Sequence, residues 1–130
     1  MAFNLDEKYI VECEKELGAK LPSSYRDAML SANGGAIDVA GDSWELHPIF
    51  DKSDRKRISR TCNHIITETK SSREWEGFPS DALTIASNGC GDNIVFLKSE
   101  NTYNDELYIW SHETRKLTKV ANKFTEVACL

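Results

Sequence analysis

Four short runs occupy the second half of the chain: "LTIAS" (83–87), "NIVFL" (93–97), "ELYIW" (106–110) and "KLTKV" (116–120). They are rich in β-branched, aromatic and aliphatic residues, and turn-forming pieces ("NGCGD", "SENTYND" and "SHETR") separate them. The gaps between the runs are five to eight residues long. A parallel crossover needs about a dozen residues or more, so this spacing favours an antiparallel meander.

The first half reads differently. Ile10, Cys13 and Leu17 fall at helical spacing over 6–17, and Gly18 follows as a C-cap. A second helix is expected over 22–32, with Pro22 in its first turn and Tyr25, Ala28, Met29 and Ala32 inward, until "NGG" stops it. "AIDVAGDSWELHPIF" alternates around Gly41 and reads as a hairpin of short strands. A third helix is expected over 54–70, with Asp51 or Ser53 as its cap and Ile58, Cys62, Ile65 and Ile66 as one apolar stripe. Phe124 and Val127 suggest a last short helix, capped by Asn122. The expected core contains Ile10, Leu17, Met29, Ile58, Ile65, Ile85, Val95, Leu107 and Ile109. This order implies an α+β fold, a mainly antiparallel sheet flanked by helices, in a single domain spanning 1–130.

Charge narrows the function classes. The formal net charge is −5, which disfavours a general nucleic-acid binder. From Asp27 to Asp51 there are five acids and no base, and from Glu74 to Glu113 eight acids against Lys98 alone. The excess base lies elsewhere, and Arg55, Lys56, Arg57 and Arg60 share the outer face expected of the third helix. That face reads as solvated rather than as a nucleic-acid or membrane surface. No run approaches the length and apolarity of a membrane helix, and the acidic start lacks a signal-peptide pattern, so a cytoplasmic location is expected.

Candidate chemistry is sparse. "NGCGD" is followed by strand-forming residues rather than by a helix, and it lacks the Lys-Ser/Thr pair of a nucleotide loop. The same absence of a helix argues against a nucleophile elbow at Cys90, although His47, His64 or His112 could approach it. What survives is a glycine-rich turn entering a strand, with Asp92 bracing the loop through backbone N–H groups. Ser111, His112 and Glu113 are successive and point alternately, so they form no triad among themselves. Cys13, Cys62, Cys90 and Cys129 stand singly, without metal-ligand spacing, and at least three are expected to be small buried or half-buried fillers. No catalytic residue, metal or cofactor is expected.

Three segments in order, "VECEKELGAKLPSSYRDAMLSANGG", "FPSDALTIASNGCGDNIVFL" and "LYIWSHETRKLTKVANKFTEV", resemble the SUKH superfamily of Smi/Knr-type proteins. The resemblance runs from about Asp6 to Val127 and implies the same α+β fold. It also implies a non-enzymatic immunity protein that binds and neutralises a bacterial toxin, often a nuclease; the alternative is a regulatory binding module or scaffold without a toxin partner, as in fungal relatives. The positions that carry over are Leu21, Pro22, Tyr25, Asn33, Gly34, Gly91, Asp92, Trp110, His112 and Phe124, and they read as structural. Cys90 departs from the small or acidic residue expected at its place. If the loops of the sheet gather on one side, that side is strongly negative and suits a basic toxin. The candidate partner-facing residues are Asp38, Asp42, Glu45, Asp92, Glu100, Asp105 and Glu106, with Trp44 and Tyr103 as anchors.

Overall fold

The computed structural model describes residues 3–129, with the side chains of 128 and 129 left aside. Helix α1 (Glu7–Leu17) starts where the Asp6 side chain accepts from the Lys8 N–H, and it ends at Gly18 in the left-handed conformation. Helix α2 (Ser23–Ser31) follows Pro22. The hairpin comes next, β1 (Gly35–Val39) and β2 (Asp42–Leu46), turning through Ala40 and Gly41, both at positive φ. The meander is then β3 (Ala82–Ser87), β4 (Asn93–Ser99), the two-residue β5 (Thr102–Tyr103), β6 (Leu107–Trp110) and β7 (Leu117–Ala121). A final strand, β8 (Ala128–Cys129), pairs with β1. Every pairing between strands is antiparallel; the order is β7-β6-β4-β3-β2-β1-β8, with β5 beside β4.

Alternation along the strands builds two apolar layers. Ile94, Phe96 and Leu107 face Tyr9, Ile10, Met29 and Tyr25 of the first two helices. Val95 and Trp110 face the other way and are covered by Phe78, with Leu97 and Tyr108 packed around them. Trp110 also donates its indole N–H to the Gly77 carbonyl, which fastens the connection ahead of β3 to that second layer.

The third helix is not continuous. It divides into α3 (Arg55–Thr61) and α4 (Ile65–Ser72), and α3 is capped by Asp54, not by Asp51 or Ser53. Tertiary hydrogen bonds cause the break. Thr61 Oγ1 donates back to the Arg57 carbonyl and accepts from the Asp51 N–H, while the Ile65 N–H goes to Pro48 O at 2.9 Å. The restart turns Ile65 and Ile66 into the core but leaves Ile58 41% exposed and Cys62 exposed. Leu17 and Ile109 are half-buried against the core, and the other expected core residues are buried. Beyond the end of β2, α4 takes over beside β3: the Thr84 N–H donates to Thr69 Oγ1 at 3.0 Å. The last helix is a single 3-10 turn (Phe124–Glu126), and Asn122 gives its N–H to Glu126 instead of capping.

Burial pushes the His47 imidazole, behind β2, down to about 4. The folded state therefore resists a proton that the unfolded chain accepts below about 6.5. Stability is fully present above that value and is lost as pH falls towards the folded pKa, at up to about 1.4 kcal/mol per pH unit. Burial also lowers the pKa of His64, which acts in the same direction. Urea melts should show a loss of ~1–2 kcal/mol between about pH 7 and pH 5. His47→Gln should flatten that dependence; an unchanged slope would assign it elsewhere.

Candidate protein-binding surfaces

The polar contacts of the loops explain the positions singled out in the sequence. Leu21 gives its N–H to Glu14 Oε2 at 2.7 Å, so the α1–α2 connection is tied by α1 itself. Lys20 then exchanges backbone hydrogen bonds with the β4–β5 hairpin, through Asn101 O and Tyr103 N. Tyr25 is fully buried, edge-on to both Phe96 and Phe124. Asn33 is buried and holds both backbone polar groups of one residue: its Nδ2 donates to Ile49 O at 2.7 Å and its Oδ1 accepts from Ile49 N at 2.8 Å.

Asp92 braces a different loop from the one expected. Its Oδ1 accepts from the His112 N–H at 3.1 Å and from His112 Nδ1 at 2.8 Å, joining the β3–β4 loop to the β6–β7 turn. Desolvation pushes the Asp92 carboxyl up, but the His112 hydrogen bonds outweigh it and hold the group below its ordinary value. Gly91 makes the clasp possible, since a Cβ there would lie 3.0 Å from the His112 ring and its φ is +98°. Within its own loop, the Cys90 N–H is taken by Asn88 Oδ1.

The cysteines divide. Cys13 is buried, and burial, reinforced by Glu16 and Glu14, pushes its thiol up to about 12. Cys62 and Cys90 are exposed, contrary to the filler expectation, because the α3–α4 break and the 88–92 turn hold them outside. The side chain of Cys129 lies outside the described residues. Among the described residues no hydrogen bond joins Cys90 Sγ to a histidine, and no group of three His, Cys, Asp or Glu could hold a metal ion.

The nine candidate partner-facing residues do not form one patch. Trp44 is 2% exposed, with its indole N–H on the Val39 carbonyl, and Tyr103 is 3% exposed. Both are corrected to core residues: Trp44 stands opposite Ile37 on the inner face of the hairpin, and Tyr103 closes the end of the main cluster. Asp38, Asp42 and Glu45 are exposed on β1 and β2. Asn88 Nδ2 reaches Asp42 Oδ2, so the hairpin turn and Asp92 share one end of the sheet. Glu100, Asp105 and the half-buried Glu106 lie at the other end, past the Ser99–Thr102 pair that closes β4 onto β5. The seven residues of β4 separate these groups by roughly 20 Å. The sheet is thus acidic at both ends rather than on one side.

Fold and surface together define a small α+β domain in which an antiparallel sheet is flanked by helices, and its polar side chains fasten loops to one another. No described helix is long and apolar enough to cross a membrane. The chain belongs to the SMI1 / KNR4 family (SUKH-1), which it matches over residues 4–128. Comparison with curated proteins finds no match.

Proposed function

We propose that this protein is a cytoplasmic immunity protein that binds and neutralises a basic bacterial toxin without catalysis of its own. Family membership across residues 4–128 carries the reading. The acidic sheet ends support a basic partner, and a nuclease fits best because it must be positive to hold a polyanionic substrate. Of the two ends, the one bearing Glu100, Asp105 and Glu106 is the proposed contact. Glu100 stands exposed at a positive φ of 59° in the β4–β5 turn, whereas at the other end the Asp92 and Asp42 carboxylates are already engaged by His112 and Asn88.

The test is co-expression with the product of the adjacent upstream gene, scored for rescue of growth and for co-purification. Rescue without complex formation, or neither, would remove the immunity reading. Cys90→Ser should protect as well as the parent, because nothing in a binding mechanism requires the thiol. Loss of protection by a folded Cys90→Ser protein would bring back a thiol reaction.

A further inference from the structure

We infer that α3 and the groove beside Phe3 form a second docking surface, for an acidic polypeptide segment carrying one large apolar side chain. From Asp51 to Arg60 the chain holds five bases against two acids, in a protein whose net charge is negative. Three of these bases converge on a single ring. Arg57 Cζ lies 4.5 Å from the Phe3 centroid, Arg60 Cζ 5.4 Å and Lys56 Nζ 5.7 Å. The ring face attracts each cation, but it also gathers like charges that repel one another. Asp51 and Asp54 both pair with Arg57. Lys56 is exposed beside this cluster, where a carboxylate arriving from outside can meet it and offset the concentrated positive charge.

The apolar half of the surface adjoins this cluster. Phe3 and Arg60 form one rim of a groove of about 600 Å³, floored by Met29, Pro48 and Phe124. A volume of that size accepts a large side chain from a partner. Glu45 lines the groove as well, so an acidic segment must run along the Phe3–Arg60 side with its apolar residue turned inward. The short α3 and the apolar floor fit an extended peptide better than a nucleic-acid backbone, which would leave the groove unfilled. This surface is separate from the Glu100 end of the sheet, and its partner has the opposite charge.

The probe is a fluorescein-labelled peptide with a central Trp flanked by three Glu on each side, followed by fluorescence anisotropy. The comparison probes carry Gly for Trp, Lys for Glu, or are an oligothymidylate of similar charge. At about 0.01 M ionic strength the Trp–Glu peptide should bind, and it should weaken markedly at about 0.15 M. Lys56→Glu with Arg60→Glu should weaken binding about tenfold or more, and Lys56→Glu alone, at an exposed position, should weaken it measurably. Ala32→Trp, at the exposed end of α2 on the groove, should remove the preference for Trp over Gly while leaving the charge dependence. Thermal melts check that each variant is folded. The proposal is overturned if the peptide fails to bind at low salt, if a folded Lys56→Glu protein binds it as well as the parent, or if the oligothymidylate binds as tightly as the peptide. None of these results depends on whether the protein neutralises a toxin.

Discussion

Asn33→Ala should lower the unfolding free energy by about 2–5 kcal/mol, among the largest effects any single polar substitution can have here. The amide makes two short hydrogen bonds to the same residue, Ile49, whose side chain is fully buried. Alanine would leave both the N–H and the carbonyl of Ile49 without those partners in a place where replacing them is costly. The clamp also fixes chain direction, because it holds the segment after β2 against the end of α2 just before Asp51 and α3. Asn33→Asp separates the two contributions. A carboxylate keeps the acceptor for Ile49 N but sets a second acceptor against Ile49 O, so at neutral pH it should be nearly as damaging as alanine. Protonation restores a donor, so part of the loss should return in acid after correction for the parent's own pH dependence. Urea melts followed by far-ultraviolet circular dichroism measure both. A loss below about 1 kcal/mol for Asn33→Ala would mean that water replaces the amide and that the clamp is incidental.

The sequence made the meander legible because its signals are local. Short runs of strand-favouring residues bounded by turn-formers become strands, and β3, β4, β6 and β7 follow those runs closely. The third helix shows the limit of that logic. Its stripe of Ile58, Cys62, Ile65 and Ile66 has the right period, yet the break after Thr61 is set by Asp51 and Pro48, ten and seventeen residues away from their partners. Strand β8 was illegible for the same reason, since its partners on β1, Ile37 and Asp38, precede it by most of the chain's length.

The candidate site was legible in kind and not in arrangement. The acids do occupy loops and outer strand positions, but segregation along the chain became two clusters in space once β4 was interposed between them. The inward place of Trp44 is visible in the sequence pattern. The residue alternates in phase with Leu46 and stands opposite Ile37, a pattern that belongs to the inner face of a hairpin. Phe3 shows no such pattern, because its role arises only when α3 is laid across it.

Reversing Glu100, Asp105 and Glu106 to Lys should slow association with the proposed toxin partner about tenfold or more at low ionic strength, with a smaller effect at physiological salt. Glu100 sits on the β4–β5 turn, and Asp105 and Glu106 on the connection from β5 to β6, so their fields add towards a partner approaching that end of the sheet. Steering acts before contact, so the loss should appear mainly in the on-rate, and it should shrink as the Debye length falls to about 8 Å. Glu100→Lys keeps a non-glycine residue at the positive φ, which leaves the backbone strain unchanged while the charge reverses. Two matched controls locate the surface. Reversing Asp38, Asp42 and Glu45 to Lys tests the opposite end, and reversing Lys52, Arg55 and Lys56 to Glu tests the α3 side. Arg57 is excluded from that control because Asp51 is buried and pairs with it, so its loss would damage the fold. Surface plasmon resonance at low and physiological salt, with the toxin immobilised, gives the rates. A larger on-rate loss in the hairpin variant would move the interface to the Asp92 end. A larger loss in the α3 variant would place the toxin on the basic helix, and the acidic ends of the sheet would have no part in steering it.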